Sequence, residues 1–436
     1  MRTNVSLVGI SLGYFMVLLD TTVVAVAEPD LAVSLGASVR GLQWVTTAYT
    51  VVFAALLLSA GAVADTAGAR RTFRTAVLSF GALSALCAAA PTVEVLIGLR
   101  ALLGAAAAAC VPASLVLVAR LHPEPARRAR AVATWATISG SAVALGPVVG
   151  GVLVGAAGWR AAFLVNVPVA MAVLAATAGR AGEQRSARRI DLRSHAAVIA
   201  ALALGTDALI AAGAGAWAHA GLSAVGAAVI GAVLVRVDRT SDAPALDPAV
   251  LGVRGVPAGL IAGAAVNLTL AGTLFVLPLV LAGRFGPLGT GLALLPMTVP
   301  FVANPPVTAR LVARRGPRPA ILLGLGLLAA GTAALAGAVA LDAPYPVLAA
   351  GLLGVGFGVS FALPALAGST VSAVPAEVAG AAGGMLNAAR QAGATVGVAV
   401  MGALPGGASF LPATAACLLA ALVYARARRE TTEPVR

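Results

Sequence analysis

The chain has 436 residues, of which 60% are hydrophobic and 10% charged, and it carries a net charge of +13. So apolar a composition cannot be closed inside one water-facing surface, which excludes a soluble globular protein and makes lipid the expected solvent for most of the chain. A basic balance can signal nucleic acid, but here the placement of the positive charge along the apolar runs excludes that partner.

A bilayer core of about 30 Å takes about 20 apolar residues per helix. Fourteen runs meet that requirement in chain order: 5–27, 42–64, 72–89, 92–118, 131–156, 162–178, 194–214, 218–237, 257–281, 288–308, 319–341, 345–366, 378–404 and 408–424. The sixth is short and the seventh and eighth are rich in alanine and glycine; without that pair the count is twelve. All 29 basic residues are arginine. With the N-terminus in the cytoplasm, twenty-four of them fall on the inner side, Arg40, Arg160 and Arg284 on the outer side, and Arg100 and Arg390 within spans. That asymmetry predicts that both termini are cytoplasmic, and removing the seventh and eighth spans together leaves every other orientation unchanged. Arg2, the first apolar run and Ala25-Val26-Ala27 also fit a cleavable signal peptide, but Asp20 within the run and the even span count argue for a retained helix.

The longest polar interruptions, Arg180–Arg193 and Asp238–Gly255, divide the chain into six, two and six helices. The expected fold is an all-α membrane protein of two six-helix bundles: residues 1–179, then 180–255 with cytoplasmic linkers and two additional spans, then 256–425, and a cytoplasmic basic tail at 426–436. A weak internal repeat supports this plan. Gly61-Ala-Val-Ala-Asp65-Thr-Ala-Gly68-Ala-Arg70-Arg71 follows the second span, and Ala309-Arg310-Leu-Val-Ala-Arg314-Arg315-Gly316-Pro-Arg318 follows the tenth. Repeated bundles of parallel orientation are the plan of one large class of secondary transporters. The 50 glycines and 25 prolines fit close helix packing and tolerated kinks in lipid.

Without a single lysine the chain has no phosphate-binding GxxxxGK[ST] loop and no Schiff-base amine. Cys87, Cys110 and Cys417 are isolated, and His122, His195 and His219 are scattered near helix ends, so neither a metal nor another cofactor is expected. Of the 16 acidic residues only Asp20 and Asp207 lie deep within the predicted spans. A charge at the bilayer centre costs ~2.5–3.5 kcal/mol on insertion scales, so Asp20 should face a cavity or a partner. That makes it the candidate proton carrier, against a structural carboxyl bonded to a neighbouring helix. Asp207, outside both bundles, reads more readily as local packing. Arg100 cannot release its proton; it is either a fixed charge acting on a nearby acid or an anchor at a helix end. Gly140 and the run Gly146-Pro147-Val-Val-Gly150-Gly151 permit close helix approach, with a hinge or gate as the functional alternative. Asp65 with Arg70 and Arg71 forms either a cytoplasmic charge latch or a plain surface loop.

Together these motifs resemble the major facilitator superfamily, and within it the fourteen-helix drug:proton antiporter branch. Leu19-Asp20-Thr21-Thr22-Val23-Val24-Ala25-Val26-Ala27-Glu28-Pro29 is similar to that branch's LDxTxVNxALP pattern, with Ala25 in place of Asn and Glu28 in place of an apolar residue. Gly61, Ala64, Asp65, Gly68 and Arg70 resemble the GxLADRxGRR signature, from which Thr66 and Ala69 depart; in the second half Ala313 stands where an acidic residue is usual. Arg100 and Gly104 resemble RxxxG. Gly146, Pro147, Gly150 and Gly151 resemble the antiporter GPxxGG element, followed by Trp159-Arg160 and Phe163-Leu-Val-Asn166-Val-Pro168, and Asn387-Ala-Ala-Arg390-Gln391 resembles NxxRQ.

The resemblance implies efflux of a small amphipathic drug or antibiotic against inward proton flow, by a monomer in the bacterial inner membrane. Its partners are then the small-molecule substrate, protons and the lipid bilayer. Asp20 and Arg100 are expected to couple the proton, Gly61, Asp65, Gly68, Arg70 and Arg71 to form a cytoplasmic gate, and Thr22, Asn387, Arg390 and Gln391 to line the cavity. A proton-coupled uptake permease is the alternative. A membrane enzyme of polyprenyl chemistry would need an acidic cluster such as DDxxD, and a channel a continuous polar lining; the sequence offers neither.

Overall fold

The computed structural model describes residues 2–122, 124–178, 192–238, 248–375 and 378–427, without side-chain detail at 2–4, 58–67, 125, 192–195, 237–238 and 248–249. The expected linkers at 180–191 and 239–247, and the tail beyond 427, lie outside the described residues. Seven helices come first: α1 (Arg2–Leu35), α2 (Val39–Ala67), α3 (Ala69–Ala88), α4 (Val93–Leu121), α5 (Pro125–Ala157), α6 (Trp159–Leu164) and α7 (Asn166–Ala176). Three follow, α8 (Leu192–Gly213), α9 (Trp217–Asp238) and the single turn α10 (Pro248–Leu251). The remainder are α11 (Val256–Leu281), α12 (Pro287–Ala293), α13 (Leu295–Ala303), α14 (Pro305–Arg315), α15 (Pro317–Ala340), α16 (Tyr345–Ser372), α17 (Ala379–Gly402) and, after a 3-10 turn at Gly406–Phe410, α18 (Leu411–Ala427).

Each of the fourteen predicted runs coincides with helix, and ten helices among the described residues are long and apolar enough to cross a membrane. Their outward faces are apolar: on α9, Leu222, Val225, Val229 and Val233 are exposed at helical spacing, the stripe expected against lipid tails. Since lipid is as apolar as these side chains, cohesion between the helices comes from packing and from interhelical hydrogen bonds.

Three runs depart in kind from the sequence reading, all around prolines, while the fifth begins six residues early at Pro125 and the twelfth ends six residues late at Ser372. The sixth run is two helices meeting at Val165, because Pro168 has no N–H for the carbonyl of Leu164. The tenth run is broken at Leu294 and Asn304, just before Pro296 and the Pro305–Pro306 pair, which have no N–H for the carbonyls of Leu292, Phe301 and Val302. The first helix does the opposite: instead of ending at residue 27 it runs on to Leu35 with Pro29 inside. The extension succeeds because Glu28 and Asp30 find partners on neighbouring helices. The short loop expected between Asp65 and Arg70 is a single residue, Gly68, at φ +90°; Asp65 lies in α2, and Arg70 and Arg71 begin α3.

Backbone contacts divide the chain into two compact units, Met1–Leu192 with Pro278–Leu295, and Arg193–Leu277 with Pro296–Arg436. In the first, α1 packs on α4, α5 and α7, α2 on α4, and α3 on α4 and α7, around fully buried Phe73, Phe80, Leu103 and Phe163. In the second, α15 packs on α16 and α18, and α16 on α17.

The weak sequence repeat has a structural counterpart in each unit. Gly68 (φ +90°) and Gly316 (φ +74°) make the left-handed turns that only glycine adopts readily. The arginines that follow cap α7 in the first unit and α18 in the second. Arg70 donates to the carbonyl of Thr177 at 2.7 Å, Arg74 to those of Leu174 and Thr177 at 3.1 and 2.9 Å, and Arg318 to that of Ala425 at 3.1 Å. Cations at these helix ends satisfy carbonyls that have no partner within the helix.

Candidate functional site

Asp20 sits in the middle of α1 with no exposed surface, and Arg100, on α4, is equally buried at 1%. The Arg100 Nη1 donates to Asp20 Oδ2 in a direct ion pair, while Asn166, the first residue of α7, donates from Nδ2 to Asp20 Oδ1 at 3.0 Å. Asn166 also donates to Ser84 Oγ on α3 at 3.2 Å. One carboxylate thus ties together α1, α3, α4 and α7, and both its oxygens accept.

The guanidinium is held on every side. Its Nε donates to the Val45 carbonyl of α2 at 3.1 Å, and its plane lies 4.5 Å from the centre of the Tyr49 ring and 5.9 Å from that of Phe163. One turn further along α4, a Cβ on Gly104 would run into the Tyr49 carbonyl, one turn further along α2. The RxxxG spacing therefore does two things at one helix contact: arginine reaches the carbonyl at 45 and glycine admits the carbonyl at 49.

Glu28, eight residues beyond Asp20, is 1% exposed. Its Oε1 accepts from the Thr46 hydroxyl at 2.8 Å and its Oε2 has no hydrogen-bond partner. The sequence reading left Glu28 at the end of its helix, so it missed a third buried charged group in the first unit. Asp30, also unsuspected, accepts from the Trp159 backbone N–H at 2.7 Å and so caps α6, where Gly158 turns at φ +73° and Arg160 covers the indole at 4.5 Å.

The GPxxGG glycines lie in a packing seam. A Cβ on Gly146 would collide with the Thr22 side chain, one on Gly150 would come within 3.1 Å of the Val23 carbonyl, and one on Gly151 within 2.7 Å of the Pro287 carbonyl on α12. Pro147 offers its carbonyl to α12 at Gly291. Gly140, by contrast, has open space beside it. Thr22, expected to face the cavity, is buried in this seam and donates to the Leu18 and Leu19 carbonyls at 3.2 and 3.1 Å.

Among the gate residues, Gly61 and Asp65 fall where side chains are not described; Gly68 and Arg70 make the turn and cap above, and Arg71 is exposed. In the second unit, Arg390 donates from Nε to Asn267 Oδ1 at 3.2 Å and from Nη1 to Asn387 Oδ1 at 2.9 Å, joining α17 to α11. Gln391 is half-buried beside it, its carbonyl accepting from Thr395 at 3.0 Å. Asp207 is engaged locally by α9, through His219 Nε2 and the Ser223 hydroxyl at 2.7 Å.

Long apolar helices and lipid-facing stripes define a multi-pass membrane protein, here with a fully buried ion pair between two of its helices. The sequence model of the Major Facilitator Superfamily matches residues 10–398 and 256–435. The chain is 35% identical over 407 residues to the methylenomycin A resistance protein of Streptomyces coelicolor, covering 92% of this chain and 85% of that one. It is 32% identical to the tetracenomycin C resistance and export protein of Streptomyces glaucescens, covering 92% and 75% respectively. Among solved structures it resembles the xylose transporter XylE from E. coli, with a TM-score of 0.67 at 14% identity over 97% of this chain and 98% of the other. This chain belongs to the major facilitator superfamily. It is a multi-pass bacterial membrane protein and a transporter of small molecules.

Proposed function

We propose that this protein is a secondary active exporter that moves a small amphipathic drug or antibiotic out of the cell in exchange for protons, by alternating access. The observation that carries the reading is the Asp20–Arg100 ion pair, buried in the first unit with Asn166 on the second carboxylate oxygen. A carboxylate of this kind can take up a proton, whereas a guanidinium keeps its own. Protonating Asp20 neutralises one member of the pair and leaves Arg100 held by the Val45 carbonyl and two aromatic faces, which changes the contact between α1 and α4. One charge moving through ~100 mV supplies ~2.3 kcal/mol, enough for a roughly fiftyfold substrate gradient per proton. The resistance and export proteins named above support the outward direction.

In this reading all fourteen helical runs cross the membrane with both termini in the cytoplasm. The bundles are 1–179 and 256–425, with the two spans of 180–255 between them and a basic tail at 426–436, and the chain works as a monomer. Gly61, Asp65, Gly68, Arg70 and Arg71 form the cytoplasmic gate. Gly146, Pro147, Gly150 and Gly151 form the seam that slides or holds, with Thr22 packed into it, and Asn387, Arg390 and Gln391 belong to the substrate path. A phosphatase reporter fused after Arg436, active only outside the cytoplasm, should stay silent; activity there would refute the orientation.

Export is tested by loading cells with a panel of antibiotics and dyes, with and without a protonophore, for wild type and Asp20→Asn. Wild-type efflux should stop with the protonophore, and the variant should export nothing above background. Efflux that survives Asp20→Asn but not the protonophore moves the proton site elsewhere, and net uptake of a panel member overturns the direction.

A further inference from the structure

Three charged side chains are buried among the described residues, and all lie in the first unit: Asp20, Glu28 and Arg100. Two carboxyls and one guanidinium are electrically neutral only when a single proton is bound between them. The hydrogen bonds say where it resides. Both oxygens of Asp20 accept from donors, which suits a carboxylate, since an ionised acid only accepts. Glu28 has one oxygen accepting from Thr46 and the other bare, with no cation bound to it. An ionised carboxylate left so in an apolar interior costs far more than a neutral acid with one hydrogen bond missing.

We propose that Asp20, Glu28 and Arg100 form a one-proton cluster in which Glu28 holds the proton while Asp20 is paired with Arg100, and yields it as Asp20 is neutralised. The inference rests on the antiport reading for its role in transport, not for the protonation state itself. Eight helical residues place Glu28 about 12 Å along α1 from Asp20, toward the end that the proposed topology puts outside. Arg100 acts electrostatically on Glu28 as well as on Asp20, so a proton leaving one acid for the other keeps the cluster neutral.

The helices packed on α1 add little other charge at this point. From α2, Thr46 bonds Glu28, while Tyr49 faces Asp20 and Arg100. On α4, Glu94 is exposed; on α6, Arg160 is exposed over Trp159; α5 meets α1 through glycines, α7 through Asn166, and the seven residues of α12 carry no charge. Glu28 also stands where the related antiporter pattern has an apolar residue, so a neutral side chain there is compatible with the fold.

Infrared difference spectra of the purified full-length protein in detergent, taken between acidic and alkaline buffer and in light and heavy water, test this without any substrate. Wild type at neutral pH should show the carbonyl band of one buried, protonated carboxylic acid. Glu28→Gln and Glu28→Leu should both fold and lose that band; Asp20→Asn should lose it as well, since Glu28 and Arg100 alone are neutral with no proton bound, whereas Asp20→Glu, which keeps the acid paired with Arg100, should leave the band in place. A wild-type spectrum without the band, or a band that persists in both Glu28 variants, overturns the proposal. Failure of the antiport reading would show separately, as wild-type efflux indifferent to the protonophore.

Discussion

Replacing Arg100 with methionine should destabilise the protein by about 3–5 kcal/mol, the usual cost of stranding one member of a buried ion pair. Methionine keeps most of the length and apolar bulk beneath Tyr49 and Phe163, so the loss reports charge and hydrogen bonding more than a cavity. It leaves Asp20 with Asn166 alone and the Val45 carbonyl without its extra donor. Combining it with Asp20→Asn removes the stranded charge, and the double variant should recover at least half of the lost stability. Thermal unfolding of the four purified forms gives the cycle, and the interaction should exceed about 1 kcal/mol, as expected for groups in direct contact. Stability that does not return in the double variant would mean that Arg100 serves mainly as packing. The double variant should nevertheless export nothing, because a neutral pair cannot carry a proton. Stability and transport part company in that one protein, which separates the structural role of the pair from its proposed role in coupling.

The sequence made the individual groups of this site visible, but not their pairing. Asp20 and Arg100 stand out because charges are rare inside apolar runs; that they meet depends on how α1 and α4 cross, which no spacing within either helix encodes. Asn166 was noticed only as a member of a motif. Ser84, Thr46 and Asn267 were not noticed at all, since hydroxyl and amide side chains in membrane helices commonly bond to their own backbone, and nothing local distinguishes one that reaches across. Glu28 was misplaced for a specific reason. Pro29 and Asp30 look like a helix end in water, but here the chain stays helical because both carboxyls are taken up by neighbouring helices. The proline breaks at Val165, Leu294 and Asn304 show the same limit from the other side, for a hydropathy run is continuous through a break that backbone chemistry imposes.

Glycine contacts allow a sharper separation of packing from hinge. A methyl group on Gly146 would collide with the side chain of Thr22, whereas one on Gly393 of α17 would meet only backbone, at 2.6 Å from the carbonyl carbon and 2.7 Å from the Cα of Ala264 on α11. Each substitution to alanine should cost about 1–3 kcal/mol as an overpacked contact. The remedies differ. Thr22→Gly removes the atoms that Gly146→Ala would strike, at a cost of about 0.5–1 kcal/mol for a glycine within a helix, so the pair Gly146→Ala and Thr22→Gly should melt close to wild type. No change at Ala264 can move a main-chain atom, so Gly393→Ala should stay destabilised whatever replaces its neighbour. If the rescued pair regains its melting temperature but not its efflux, the α1–α5 seam has a role beyond packing, as a hinge would. If efflux returns with stability, the GPxxGG glycines act as spacers that let Thr22 and Val23 lie against α5.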